Sequence, residues 1–283
     1  MHSGKNFLQF ATICLALGHL LFPLCIHAAP RDEALIIDHR CIDIDKVPTK
    51  YIEQAKTSLR VAYGHTSHGS QLVSGMQALQ NAKPKLFAFG RSNQGLSLID
   101  RTPKGDLGNP DRTSWAERTR EFLKGAGKDR NLILWSWCGQ VSSATQEDIE
   151  TYLKLMNRLE KEFPEVTFVY MTGHLDGSGK NGNLHQRNQQ IRDYCRQNRK
   201  VLFDFADIES YDPDGKINYM ELNARDTCDY RQGKERRNWA ADWLAANPQH
   251  KFALPDSAAH TNPLNGAMKG NAFWWMMAKL AGW

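Results

Sequence analysis

The sequence predicts an α/β protein: a mainly parallel sheet between two helical layers, the three-layer α/β/α sandwich of flavodoxin-like folds. Three observations predict it. Short apolar runs recur along the chain, amphipathic helical stretches separate them, and the residues directly after several runs are rich in Ser, His, Gly and Asp. Alternating strand and helix at such spacing implies parallel pairing through right-handed crossovers.

The elements follow in chain order. Met1–Asn6 carries Lys5 and no acid, Phe7–Ile26 is almost wholly apolar, and Ala28-Ala29 closes the segment with small residues. That order is a cleavable secretory signal over residues 1–29, which leaves one domain over 30–283 in a secreted or periplasmic protein with no stable membrane span after cleavage. A helix is expected over Thr49–Lys56, then a strand over Ser58–Tyr63 and another over Asn131–Trp137. In Glu147–Phe163, Ile149, Leu153, Met156, Leu159 and Phe163 form one stripe, and Pro164 ends the helix. Val166–Met171 is a third strand, Leu184–Asn198 a helix, Val201–Phe205 a fourth strand, and Gly266–Leu280 a final helix.

Composition excludes several classes. Hydrophobic residues make up 41% and charged residues 24%, which is ordinary for a folded globular chain and unlike a disordered one. The 36 Lys+Arg and 31 Asp+Glu are interspersed, so the net +5 forms neither a nucleic-acid stripe nor a polybasic membrane patch. Four cysteines lie beyond the signal: Cys41, Cys138, Cys195 and Cys228. Export allows them up to two disulfides, while Cys138, inside an aromatic run, reads as a buried thiol. No Cys-x-x-Cys pair is present.

In parallel α/β sheets, ligands bind beyond the carboxyl ends of the strands. Here those segments are Gly64-His65-Thr66-Ser67-His68-Gly69-Ser70, Cys138-Gly139-Gln140 and Thr172-Gly173-His174-Leu175-Asp176-Gly177. Ser67 stands among histidines and glycines. A serine hydroxyl attacks an acyl carbon when a base takes its proton and N–H donors hold the oxyanion. Ser70 competes for that role, and either serine also suits a helix cap. Near the C-terminus, Asp256 and His260 are four residues apart in a Pro-rich loop, where an acid can orient an imidazole base.

The Gly-x-x-Ser segment after the first strand and the Asp-x-x-x-His-x-x-Pro loop before the last helix together resemble the SGNH (GDSL-like) hydrolase superfamily. The nearest likeness is to a secreted bacterial branch with Tyr-Gly-His-Thr-Ser-His-Gly-Ser near the start. The resemblance runs from about Ser58 to the C-terminus. It implies a serine esterase acting on acyl groups of carbohydrates or related small-molecule esters, with no cofactor and no metal. By position it assigns Ser67 as nucleophile, His260 as base and Asp256 as orienting acid. Gly108 and Gln140 would stabilise the oxyanion, Gln140 standing in Cys138-Gly139-Gln140 where the superfamily has Gly-x-Asn-Asp. His65, His68 and His174 would contact substrate.

Two other readings stay open. His65, His68, His174, Asp176, His185 and His260 carry the ligand types of a zinc or manganese hydrolase. Trp115, Trp239 and Trp243 lie in polar surroundings, as a sugar-stacking platform on a non-catalytic binding protein would. Substrate selection is expected from loops such as Ser92–Trp115. Asp212-Pro213-Asp214-Gly215 reads as a plain turn.

Overall fold

The apolar runs expected as strands pair side by side, because residues with no polar face must be covered on both sides. The computed structural model describes residues 31–91 and 94–283, so the expected signal segment lies outside the described residues. In chain order the elements are β1 (Leu35–Ile37), α1 (Thr49–Ser58), β2 (Arg60–Gly64), α2 (Ser70–Ala82), β3 (Phe89–Gly90), β4 (Leu96–Asp100), α3 (Ser114–Lys124), β5 (Leu132–Trp135), α4 (Gln146–Glu162), β6 (Thr167–Met171), α5 (Asn183–Gln197), β7 (Val201–Phe203), α6 (Phe205–Ile208), β8 (Asp229–Gln232), β9 (Glu235–Asn238), α7 (Trp239–Ala246) and α8 (Pro263–Leu280).

Seven strands form one sheet in the order β1-β7-β6-β5-β2-β4-β3, and every pairing in it is parallel. The inner run β4-β2-β5-β6-β7 has the flavodoxin-like order, in which the chain reverses direction across the sheet at its first strand. The expected fold class is therefore the one observed, with β1, β3 and β4 added to the four strands read from the sequence. β8 and β9 make a separate antiparallel hairpin.

Alternation along the strands feeds two cores. Val61, Tyr63, Leu132, Leu134, Val169 and Phe203 face one layer with α1, α2 and α8. Ala62, Ile133, Trp135, Phe168, Tyr170 and Leu202 face the other, with α3, α4 and α5. Helix α4 begins on a capping box, Thr145 with Asp148. Helices α2 and α8 cross through glycine: a Cβ on Gly75 would stand 2.0 Å from the Gly266 carbonyl oxygen, so only glycine permits that approach.

Four expectations are corrected here. Trp115 and Trp239 are fully buried in the two cores, where their indoles bury large apolar area and cannot form a sugar platform. Trp243 is partly buried against the core, its indole N–H donating to Asp214. The segment expected as a selecting loop after Ser92 contains β4, whose Leu96 and Leu98 point into the core. Cys41, Cys138, Cys195 and Cys228 are all free thiols, and Cys138 is only half-buried. Asp212-Pro213-Asp214-Gly215 is a turn as expected, closed by the Gly215 N–H on the Asp212 carbonyl. Among the described residues, no helix is long and apolar enough to cross a membrane.

Candidate active site at the sheet's switch point

The chain leaving β2 turns at once because nothing larger than hydrogen fits there. A Cβ on Gly64 would lie 2.5 Å from the Trp135 ring, and one on Gly69 would lie 2.4 Å from the His65 Cβ. Tyr63 donates its hydroxyl to the Gly69 carbonyl at 3.0 Å, folding the segment back on the strand. Ser70 then opens α2, its hydroxyl and N–H both donating to the Ser67 carbonyl at 2.6 and 3.1 Å. Ser70 is thereby occupied as a helix-start residue. Ser67 and His68 precede the Gly69 N-cap, with N–H groups that meet no acceptor among the described residues.

His68 is the centre of the arrangement. Its Nε2 lies 2.9 Å from Asp226 Oδ2, and its Nδ1 lies 3.3 Å from the Cys138 Sγ. The Ser67 Oγ is 3.7 Å from the same sulfur. Cys138 follows the end of β5, the neighbour of β2 across the switch point. The His174 ring, after β6, stacks on His68 at 3.7 Å with 1° between planes. His260 stacks on it at 4.4 Å and 15°. The three imidazoles thus form one stack with His68 in the middle.

The charges follow from this packing. Burial pulls the His68 pKa below its ordinary 6.5, with the Asp226 hydrogen bond opposing and the charge of His174 adding to the fall. Burial works to raise Asp226, but the hydrogen bond from His68 and the charges of His174 and His68 together outweigh it, so its carboxyl sits below the ordinary 3.8. At neutral pH this leaves a neutral imidazole whose Nε2–H is donated to a carboxylate. Its other nitrogen then presents a lone pair to the thiol.

The loop bearing Asp226 is tied in place on three sides. Asp226 N–H donates to the Leu175 carbonyl at 3.1 Å, its Oδ1 accepts from the Thr227 N–H at 2.9 Å, and its carbonyl accepts from the Thr261 hydroxyl at 2.6 Å. Asn265 of α8 supports that hydroxyl at 2.8 Å. His260 itself has φ of 64°, a left-handed conformation that is uncommon for any residue with a Cβ and recurs at functional loops.

The structure brings Ser67, His68, His174 and His260 together and leaves other expected partners apart. Asp256 is exposed and makes no ion pair within 4.0 Å to His260; Asp226 is the carboxylate that reaches the stack. His65 is a fully buried side chain, its Nε2 2.6 Å from Asp100 and its Nδ1 2.7 Å from the Thr66 carbonyl, so it offers no atom to a ligand. Gln140 donates to Asp106 at 2.7 Å and accepts the Cys138 N–H at 2.9 Å, which commits its amide to holding Cys138. Gly108, at φ of 84°, packs against Trp137 beside Cys138 and Gln140. Asp226 and Cys138 are the residues that sequence reasoning missed in this cluster.

Two groups put metal-ligating atoms within 4.8 Å of one another: His68, His174 and Asp226, and Asp38, His39 and Asp207. In the first, His68 Nε2 is held by Asp226 and His174 Nδ1 faces the Leu175 carbonyl at 3.0 Å, while the buried His174 Nε2 meets no partner among the described residues. In the second, His39 is paired with Asp207 at 2.5 Å and Asp38 with Arg40. Asp176 and His185 line a separate cavity of about 210 Å³.

The chain matches no family model and no curated protein. Among solved structures it is similar to the crystal structure of an acetyl xylan esterase, AlAXEase. The TM-score is 0.38 at 15% sequence identity, over 76% of this chain and 98% of that one.

Proposed function

We propose that the chain hydrolyses acyl esters, with acyl groups carried on carbohydrates as the substrate class, and that it does so after export. The observation that carries this reading is the line Cys138–His68–Asp226: a nucleophile in contact with a base, and the base in contact with its orienting acid. Its place supports the same reading, since it sits at the switch point of a parallel sheet, where such folds bind their ligands.

In this scheme Cys138 gives its proton to His68 Nδ1 as Sγ bonds to the acyl carbon. Asp226 stabilises the imidazolium that forms. The free N–H groups of Ser67 and His68, ahead of α2, are the oxyanion donors, aided by the helix dipole. Collapse breaks the carbon–oxygen bond, and the leaving alkoxide takes the proton from His68. Water then attacks the thioester while His68 accepts its proton. The acid departs and the thiol is restored.

A second reading keeps the SGNH assignment, with Ser67 as nucleophile and His260 as base. It is favoured by one observation: the His260 ring lies in the stack with no hydrogen bond of its own among the described residues. Labelling the purified protein with iodoacetamide and with a fluorophosphonate, followed by mass mapping, separates the two. Fast alkylation confined to Cys138 is the expected result. A fluorophosphonate adduct on Ser67 would move the nucleophile there, and reaction at neither residue would overturn both schemes.

A further inference from the structure

Beneath the stack, α8 carries a lysine with no exposure to water. Lys269 Nζ donates to Glu209 Oε1 at 2.6 Å and to the Gln71 Oε1, and it lies 3.9 Å from the centroid of the Phe205 ring. Lys269, Glu209 and Gln71 are each fully buried. Both partners pass the contact on. Glu209 Oε2 accepts the Leu175 N–H at 2.8 Å, and Gln71 Nε2 donates to the Ala259 carbonyl at 2.6 Å.

The positions of those two backbone groups are informative. Leu175 directly follows His174, Ala259 directly precedes His260, and Gln71 is three residues beyond His68. One ammonium group therefore ties together the three segments that carry the stacked imidazoles. Such a network is a poor device for stability alone, because a buried ion pair seldom repays its desolvation compared with apolar packing. It is well suited to fixing geometry, since each member has both of its ends committed and hydrogen bonds in series reinforce one another.

We propose that Lys269, Glu209 and Gln71 are positioning residues that set the spacing of the His174–His68–His260 stack. Glu209 holds the His174 side and Gln71 holds the His260 side. What the stack does in catalysis rests on the function proposed above; its geometry does not.

The test is NMR of the histidine rings in the full chain, labelled at histidine, where stacking shields the ring protons. Gln71→Leu cuts the Ala259 link and the Gln71 acceptor of Lys269 but leaves the Lys269–Glu209–Leu175 arm, and is expected to move the His260 ring signals toward their unstacked positions while those of His174 stay. The neutral pair Lys269→Met with Glu209→Leu is expected to move His174. Restoring only the Leu175 acceptor with Lys269→Met and Glu209→Gln should return His174 part of the way to its wild-type shift, the remainder being what Lys269 holds. If Gln71→Leu folds cooperatively and leaves His260 in place, the proposal fails, whether or not the lysine variants fold. It also fails if every ring shifts alike in both sets, because that is generalised loosening. Loss of Cys138 labelling with the stack intact would count against the proposed reaction and not against this relay.

Discussion

Replacing Asp226 by Asn removes one charge and reverses one hydrogen bond without changing the size of the side chain. In the wild type, Oδ2 accepts Nε2–H of His68 at 2.9 Å, which leaves Nδ1 as the lone pair facing Cys138 at 3.3 Å. An Asn amide placed to donate would draw the ring into the opposite tautomer, with its proton on Nδ1 and no base beside the sulfur. A hydrogen bond to a charged partner contributes about 1.5–3 kcal/mol, or roughly 10- to 150-fold in rate. Loss of the general base costs a further factor, about 10²–10⁴ where it has been measured. Asp226→Asn is therefore expected to lower kcat on an acyl ester by at least about 10³-fold with little change in KM, and to slow iodoacetamide at Cys138 in parallel. A chromogenic acetyl ester and timed alkylation with mass readout measure the two. Wild-type alkylation and turnover in a folded Asp226→Asn protein would refute the assignment of His68 as base.

Cys138→Ala is expected to abolish turnover, whereas Ser67→Ala should retain most of it; initial rates on the same ester decide, and the opposite order would favour Ser67. Gly75→Ala drives a methyl 2.0 Å from the Gly266 carbonyl oxygen, and is expected to cost about 3 kcal/mol or more, roughly a 10 °C drop in Tm by calorimetry. Because burial holds His68 below 6.5, the unfolded chain takes up that proton first, so stability should fall as pH drops below 6.5 until the folded ring also protonates. Asp226, held below 3.8, adds stability that is complete above that value and lost as pH falls through the folded pKa; urea midpoints measured across pH test both signs. Trp115→Ala should destabilise by about 3–5 kcal/mol as a core truncation, with sugar binding measured by calorimetry unchanged in whatever fraction stays folded.

The strands that proved legible are those buried on both faces. Leu132–Trp135 and Val201–Phe203 have no exposed residue, so periodicity reduces to a plain apolar run that stands out against polar helices. β1 is only three residues long, and β4 mixes Leu96 and Leu98 with Ser97, Ile99 and Asp100, which leaves too short a pattern to separate from a loop. The rule that ligands gather at strand ends pointed to Ser67, His68 and His174 because each follows its strand closely. Asp226 escaped it: it lies 158 residues from His68, in a loop between the sheet and the β8–β9 hairpin, where nothing in the local pattern signals a partner. Asp256 drew the assignment instead because it is near His260 in sequence, and proximity along the chain is not proximity across a turn. The platform reading left open for Trp115 and Trp239 falls for a related reason. Polar neighbours in sequence occupy the far face of a helix and say little about the face a tryptophan takes.

Helix α8 shows how the site and the fold constrain each other. It is buried almost all round, a setting in which apolar residues would serve stability best, yet it carries Asn265, Lys269 and Asn271 with little or no exposure. Each donates to a segment outside the helix: Asn265 to Thr261, Lys269 to Gln71 and Glu209, Asn271 to the Ile42 carbonyl. The neutral pair Lys269→Met with Glu209→Leu separates the two demands. Removing the buried ions is worth about 1–4 kcal/mol in favour of the fold where such swaps pack well. Against this, the Leu175 N–H loses its acceptor and the buried Gln71 Oε1 its donor, at about 1–3 kcal/mol each. Gain and losses largely offset each other, so Tm should stay within a few degrees of the wild type. Alkylation at Cys138 should nonetheless fall, because His174 no longer packs His68 from behind. A fall in Tm and labelling together would mean that the lysine serves the core first and the site only through it.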